Sequence, residues 1–214
     1  MKKLGFTLAE ALITLGIIGI VSAITIPSVI RHYQKQRTVS QLKKVYTVLN
    51  QAFKMSEIDN GTFENWDTLT NNNRVEYTNK YLKPYLKVLK VCNNYTECGY
   101  SKSQPWVRPI SKTPIGHAIK TNSLILADGT YLEVFSGEYH IMVDLNGAFN
   151  PNQLGRDVFI FVINKKGITP YKEDYSNNKF SNYCSKNSTK NDNGQYCGAK
   201  IISDGWKIKD DYPW

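Results

Sequence analysis

Phe6 to Ile30 reads FTLAEALITLGIIGIVSAITIPSVI, 25 residues with a single charge, Glu10. As a helix at 1.5 Å per residue such a block is long enough to cross a hydrocarbon core of about 30 Å. It has the outline of a secretory signal peptide, with Lys2 and Lys3 as a basic leader and Val21-Ser22-Ala23 as a small-residue cleavage site. It has equally the outline of a plain membrane anchor. Neither reading accounts for Glu10, because a carboxylate inside a bilayer helix costs a few kcal/mol and persists where it is paired or functional.

The setting of Glu10 is specific. A short leader, Met1 to Gly5, precedes Phe6-Thr7-Leu8-Ala9-Glu10, and an apolar run containing Gly16 and Gly19 follows and closes at Pro27. This N-terminus resembles that of type IV prepilins and type II secretion pseudopilins, whose signature is a glycine, an aromatic residue and a glutamate at the fifth position of the mature chain. Gly5, Phe6 and Glu10 occupy those three positions. The resemblance implies a prepilin peptidase that cuts between Gly5 and Phe6 on the cytoplasmic side and methylates the new amino group of Phe6. It implies also that the helix is retained, as anchor before assembly and as filament core afterwards. In such a filament the Phe6 ammonium of one subunit lies near Glu10 of a neighbour, so two charges that are costly apart neutralise each other and fix the axial offset between subunits. Gly16 and Gly19 suit close packing of membrane helices, and Pro27 a kink; the resemblance offers the alternative that this stretch extends during assembly.

Beyond Pro27 the helix is expected to continue with a different surface. Val39, Leu42, Val45, Tyr46, Leu49, Ala52 and Phe53 recur at spacings of three and four, with Arg37, Lys43, Lys44, Asn50 and Lys54 on the other faces. Asn60-Gly61 is the stop signal. The spacing therefore predicts one helix of roughly 80 Å from Phe6 to Ile58. The division that follows is a leader at 1–5, a membrane or filament-core helix at 6–30, its amphipathic continuation at 31–60 and an extracytoplasmic head at 61–214.

With 214 residues, 41% hydrophobic and 12% aromatic, the chain has enough apolar material for one folded domain with an appendage, and too much for a disordered chain. In the head a short helix is expected over Arg74 to Lys90, interrupted near Pro84, and a Pro-containing loop over Gln104 to Pro114. Strand signals follow at Ser123–Ala127, Thr130–Phe135, Tyr139–Leu145 and Val158–Ile163, with turns at Asp128-Gly129 and Ser136-Gly137. The expected fold is α+β: a long N-terminal helix on an antiparallel sheet of about four strands, which the resemblance describes as pilin-like.

Asp144, Asn146 and Asp157 lie in the segment before the last of these strands, and their oxygens are of the type that bind calcium, as some major pseudopilins do in a loop. An Asx-turn system closing a long hairpin explains them better, since no bidentate Glu stands where an EF-hand loop needs one. No metal and no cofactor is assigned. Four cysteines allow three pairings. Local pairing, Cys92 with Cys98 and Cys184 with Cys197, is the most economical, and zinc is disfavoured because His32, His117 and His140 are scattered. Disulfides place the head in an oxidising compartment. The positive-inside count disagrees, since Arg31, Lys35, Arg37, Lys43 and Lys44 follow the span; the processing motif and the cysteines are given precedence. At the C-terminus Ile201, Ile202 and Trp206 are expected to fold back on the sheet.

No nucleophile elbow, HExxH helix, P-loop or dinucleotide fingerprint is present in the sequence, so the expected role is structural rather than enzymatic. The expectation is a pilin or pseudopilin at the bacterial inner membrane, single-pass with its head outside the cytoplasm. Its partners would be the prepilin peptidase, an inner-membrane assembly platform, and copies of itself or other pilins in a filament. Two alternatives remain: a DNA-binding minor pilin of a competence pilus, and a secreted disulfide-bonded protein with an ordinary signal peptide. The formal charge of +9 first raises nucleic acid as a partner. Loss of Lys2 and Lys3 with the leader brings it to +7, and six of the remaining positives lie between Arg31 and Lys54, which weakens that argument.

Overall fold

The computed structural model describes residues 7–101, 105–115, 122–135, 140–172 and 177–214. Two compact units divide the chain, residues 1–37 and residues 38–214. Helix α1, Leu8–Asn60, runs through the boundary with Pro27 inside it and ends at the expected Asn60-Gly61 stop. Leader residues 1–5 and Phe6 lie outside the described residues, as do Ser136-Gly137, Tyr139 and His117.

In the second unit α1 buries Thr38, Leu42, Val45, Leu49, Ala52, Phe53 and Ser56. These are the three-and-four spacings of the sequence reading, with Val39 and Tyr46 at the flanks packed against the same core. After α1 come a 3-10 turn at Phe63–Asn65, helix α2 at Arg74–Tyr81 and a second 3-10 turn at Lys83–Tyr85. Six strands follow: β1 Val88–Cys92, β2 Ser123–Leu126, β3 Tyr131–Val134, β4 His140–Asp144, β5 Val158–Asn164 and β6 Gly167–Pro170. They form one antiparallel sheet in sequence order. Helices α3, Asn177–Tyr183, and α4, Cys197–Ser203, complete the chain.

The sheet therefore has six strands where the sequence reading expected about four. The four expected strands are β2 to β5; the two additional ones are its edges. Val88 to Lys90, expected as the end of a helix, is the first half of β1: Pro84 cannot continue a helix and disfavours it in the residue before, and the β-branched Val88 and Val91 find a ladder on β2. Strand β6 is four residues ending in Pro170, a length and a terminus that give little periodicity to read and that suit an edge.

Both faces of the sheet are covered. Leu124, Leu126, Leu132, Val134, Ile141, Val143, Phe159, Phe161 and Ile163 join the buried stripe of α1 in the larger core. The opposite face contributes Tyr131, Met142 and Val158 to a second core, closed by Tyr95, Tyr100 and Trp106 from the segment after β1. Alternation along β3 and β4 thus places Tyr131, Glu133, Met142 and Asp144 under the second core. This polar and aromatic layer positions the loop described below.

Candidate functional site

In the first unit the apolar helix is exposed on every side. Leu8, Leu12, Ile13, Leu15, Ile17, Ile18, Ile20, Val21, Ile24, Ile26, Val29 and Ile30 are all at least half exposed. Burying a Leu, Ile or Val side chain is worth about 1.5–3 kcal/mol, so leaving this whole surface in water is costly. The helix is long and apolar enough to be a membrane span or a signal sequence.

Glu10 sits in the first turn of this helix and is held locally. The Thr7 N–H and hydroxyl donate to Glu10 Oε2 at 2.8 and 2.7 Å, and the Glu10 N–H donates to Thr7 Oγ1 at 3.3 Å. This is a capping box, which satisfies orphan donors of the helix start and shields the carboxylate. Its Thr-x-x-Glu spacing was legible in the sequence, and it adds Thr7 to the residues that matter here. Gly16 and Gly19 have open space where a side chain would begin. Pro27 lies within the continuous helix. Gly5 and Phe6, the expected cleavage pair, lie outside the described residues.

The second cluster is the loop from β4 to β5. Asp144 is fully buried and Asp157 6% exposed. The Tyr100 hydroxyl and Trp106 Nε1 donate to Asp144 Oδ2 at 2.9 and 3.2 Å, and the Asn146 N–H donates to Asp144 Oδ1 at 3.4 Å. Asp157 accepts from the Asn152 and Gln153 N–H groups at 2.9 and 2.6 Å. The structure brings Asp144, Asn146 and Asp157 into one loop as an Asx-type system, which is the preferred sequence reading. It adds Tyr100, Trp106, Asn152 and Gln153. Of these, Asn152 was in the motif but carried no signal, since it takes part through a positive φ of 49°. Among the described residues there is no group of three or more His, Cys, Asp or Glu placed to hold a metal.

Burial pushes both carboxyls of the loop above the ordinary range. For Asp144 the charge of Asp157 adds to it, against the hydrogen bonds from Tyr100, Asn146 and Trp106. For Asp157 the opposing influences are the backbone donors of Gln153 and Asn152 and the nearby charge of Arg156. The Tyr100 and Tyr131 hydroxyls are likewise pushed up, by burial first and then by Asp144 and Glu133 respectively.

The four cysteines pair locally, Cys92 with Cys98 and Cys184 with Cys197. The second bridge reaches the loop: Cys197 lies against Gly155, where an added Cβ would stand 2.7 Å from its sulfur. The Tyr212 hydroxyl donates to the Gly155 carbonyl. Ile201 is fully buried, and Trp206 packs against Tyr46 at 5.7 Å between ring centroids, so the C-terminal segment does fold back on the core.

No curated protein and no solved structure matches the chain. One family model does, over residues 28–111 and 112–214. The matched stretches take in both disulfides, all six strands and the Asp144–Asp157 loop, and begin directly after Pro27. The chain belongs to the family of unknown function DUF6613.

Proposed function

We propose that this chain is a structural subunit, a pilin or pseudopilin, of a type IV pilus or type II secretion filament, with a pilin-like arrangement of helix and sheet. Prepilin peptidase cleaves between Gly5 and Phe6 and methylates Phe6. The helix from Phe6 to Ile30 anchors the subunit in the inner membrane with its head outside the cytoplasm, and then enters the filament core. An assembly platform and neighbouring pilins are its partners, and its role is non-enzymatic.

The observation that carries this reading is an apolar helix, exposed on every side, with one carboxylate in its first turn. A simple anchor needs the apolar surface, and Glu10 only to cap the helix start with Thr7. A subunit that must stop at one axial offset needs both, because Leu and Ile contacts tolerate sliding whereas a charge pair does not. Two disulfides and an antiparallel head fit an oxidising, extracytoplasmic setting.

Mass spectrometry of the N-terminal peptide tests it. A methylated Phe6 start is expected; an intact Met1 or a start at Ile24 overturns it. Glu10→Ala should then block incorporation into filaments while leaving the level of the membrane-bound precursor unchanged.

A further inference from the structure

Within the second unit α1 is pinned to one side of the sheet it covers. Asn50 bonds the backbone of Ile168 on the edge strand β6, and six strands stand about 24 Å across where a helix is only about 10–12 Å thick. The side toward β1 and β2 is left with a groove along α1, an open cavity of about 440 Å³. Two cross-links bound it. Near its start Lys44 Nζ of α1 lies 2.7 Å from Asp128 Oδ2 on the turn between β2 and β3. Beyond Met55, its last helical residue, the Tyr85 hydroxyl donates to Asp59 Oδ2 at 2.9 Å and accepts from Asn60 Nδ2 at 3.0 Å.

Between the cross-links the walls are apolar, with Val45, Val48 and Met55 from α1 and Leu126 and Ala127 opposite. Val45 and Leu126 are buried, whereas Met55 is 52% exposed, so part of this apolar wall is surface that the fold itself leaves uncovered. Two polar side chains also line the groove, Gln51 from the helix and Lys87 from the segment before β1. Among the described residues neither side chain makes a hydrogen bond or an ion pair. Of the three charged residues that line the groove, Lys44 and Asp128 neutralise each other, and Lys87 remains.

We propose that this groove binds a single-chain amphiphile with a carboxylate head, a ligand of the fatty-acid type. Its alkyl chain lies on Val45, Val48, Met55, Leu126 and Ala127, and its head accepts from the Lys87 ammonium and the Gln51 side-chain amide. The cavity lies in the size range of small-molecule sites, which combine apolar walls with a few polar groups that fix the head. A charge-assisted hydrogen bond to Lys87 selects an anion over a neutral alcohol of the same length. The groove has room for one alkyl chain, whereas a bilayer phospholipid carries two. The inference stands apart from the filament reading, since the groove lies wholly within the second unit.

The test uses the full-length chain in phosphatidylcholine nanodiscs, which avoid single-chain detergents. The probe is dodecanoate carrying a diazirine in its chain, activated by light at about pH 8, where a carboxylic acid in water is ionised. Mass spectrometry should find adducts at Val48 to Met55 and at Leu126 to Ala127. Excess unlabelled dodecanoate should suppress them, and excess dodecanol should not. Lys87→Glu should lower labelling of the groove about fivefold, and Ala127→Trp, which fills the groove, should abolish it. Both positions are exposed, so neither change disturbs the core. A groove without adducts overturns the proposal, as does equal suppression by dodecanol, or labelling that Lys87→Glu leaves unchanged. Labelling that appears only when the chain is diluted overturns it too, because a second copy would then be the occupant.

Discussion

Asn50 of α1 and Ile168 of β6 exchange two hydrogen bonds, Asn50 Nδ2 donating to the Ile168 carbonyl at 2.8 Å and the Ile168 N–H donating to Asn50 Oδ1 at 3.1 Å. A side chain thus pairs with the backbone of an edge strand as another strand would, and it ties the sheet to the helix 118 positions earlier in the chain. Gly167 beside it has φ 121°, and a Cβ there would stand 2.7 Å from Asn50 Oδ1, so the close approach requires glycine.

Asn50→Ala removes both bonds and leaves the Ile168 groups without this partner. A loss of about 1–3 kcal/mol is expected. Asn50→Asp keeps the acceptor and loses the donor, and should fall between wild type and Asn50→Ala. Urea unfolding of the full chain in micelles, followed by tryptophan fluorescence, measures both. Equal stability of Asn50→Ala and wild type would show that water replaces the pair at no cost.

Gly155 has φ 76°, and a Cβ would meet Cys197 Sγ at 2.7 Å, Cys197 Cβ at 2.9 Å and the Tyr212 hydroxyl at 3.3 Å. The obstruction is a disulfide and a buried ring, neither of which can swing aside. Gly155→Ala should therefore cost at least about 1–3 kcal/mol for the backbone alone, and more for the contact. A lowered unfolding midpoint with faster proteolysis near residue 155 is the expected result.

These contacts mark where the sequence stopped being readable. The amphipathic stripe from Leu42 to Phe53, the Asn60-Gly61 stop and strands β2 to β5 were legible because each depends on local periodicity or a turn residue. Strands β1 and β6 were not: the first follows a proline-interrupted helix, and the second is four residues held partly by Asn50, a residue read only as part of a polar face. The Asp144–Asp157 loop was legible as an Asx system, since those side chains bond nearby backbone. Its burial was not, because Tyr100 and Trp106 arrive from a segment about 40 residues away, with separations of 44 and 38, and no local pattern announces that.

The two disulfides should differ under mild reduction. Cys92, Cys184 and Cys197 are fully buried, whereas Cys98 is only half-buried, so Cys92–Cys98 presents the accessible sulfur. In the chain-entropy model, the bridge of sequence separation 13 is worth about 3 kcal/mol and the one of separation 6 roughly half a kcal/mol less. Brief treatment with dithiothreitol, followed by alkylation and mass spectrometry, should label Cys92 and Cys98 first. Prior labelling of Cys184 and Cys197 would contradict the burial order.

Lys200 gives the C-terminal segment an ordinary acid sensitivity. Its ammonium lies 3.1 Å from Asp204 Oδ2 and 2.9 Å from Asp211 Oδ2, and 5.8 Å from the centre of the Phe180 ring. Burial works against its charge, but the hydrogen bonds to Asp211 and Asp204 outweigh it and hold its pKa above the ordinary lysine range. The hydrogen bond from Lys200 is the main influence that holds Asp211 below the ordinary carboxylate range. A depressed carboxyl contributes stability that is present above its unfolded pKa and lost as pH falls through the folded one. Between about pH 4 and pH 2, then, this segment weakens. Lys200→Met keeps the apolar stem against Phe180 and removes the charge, so it should flatten the acid limb of the stability profile and also remove the loss of stability that follows deprotonation of Lys200 above the ordinary lysine range. Thermal unfolding of wild type and Lys200→Met across pH checks this, and an acid limb of wild-type steepness in Lys200→Met would overturn it.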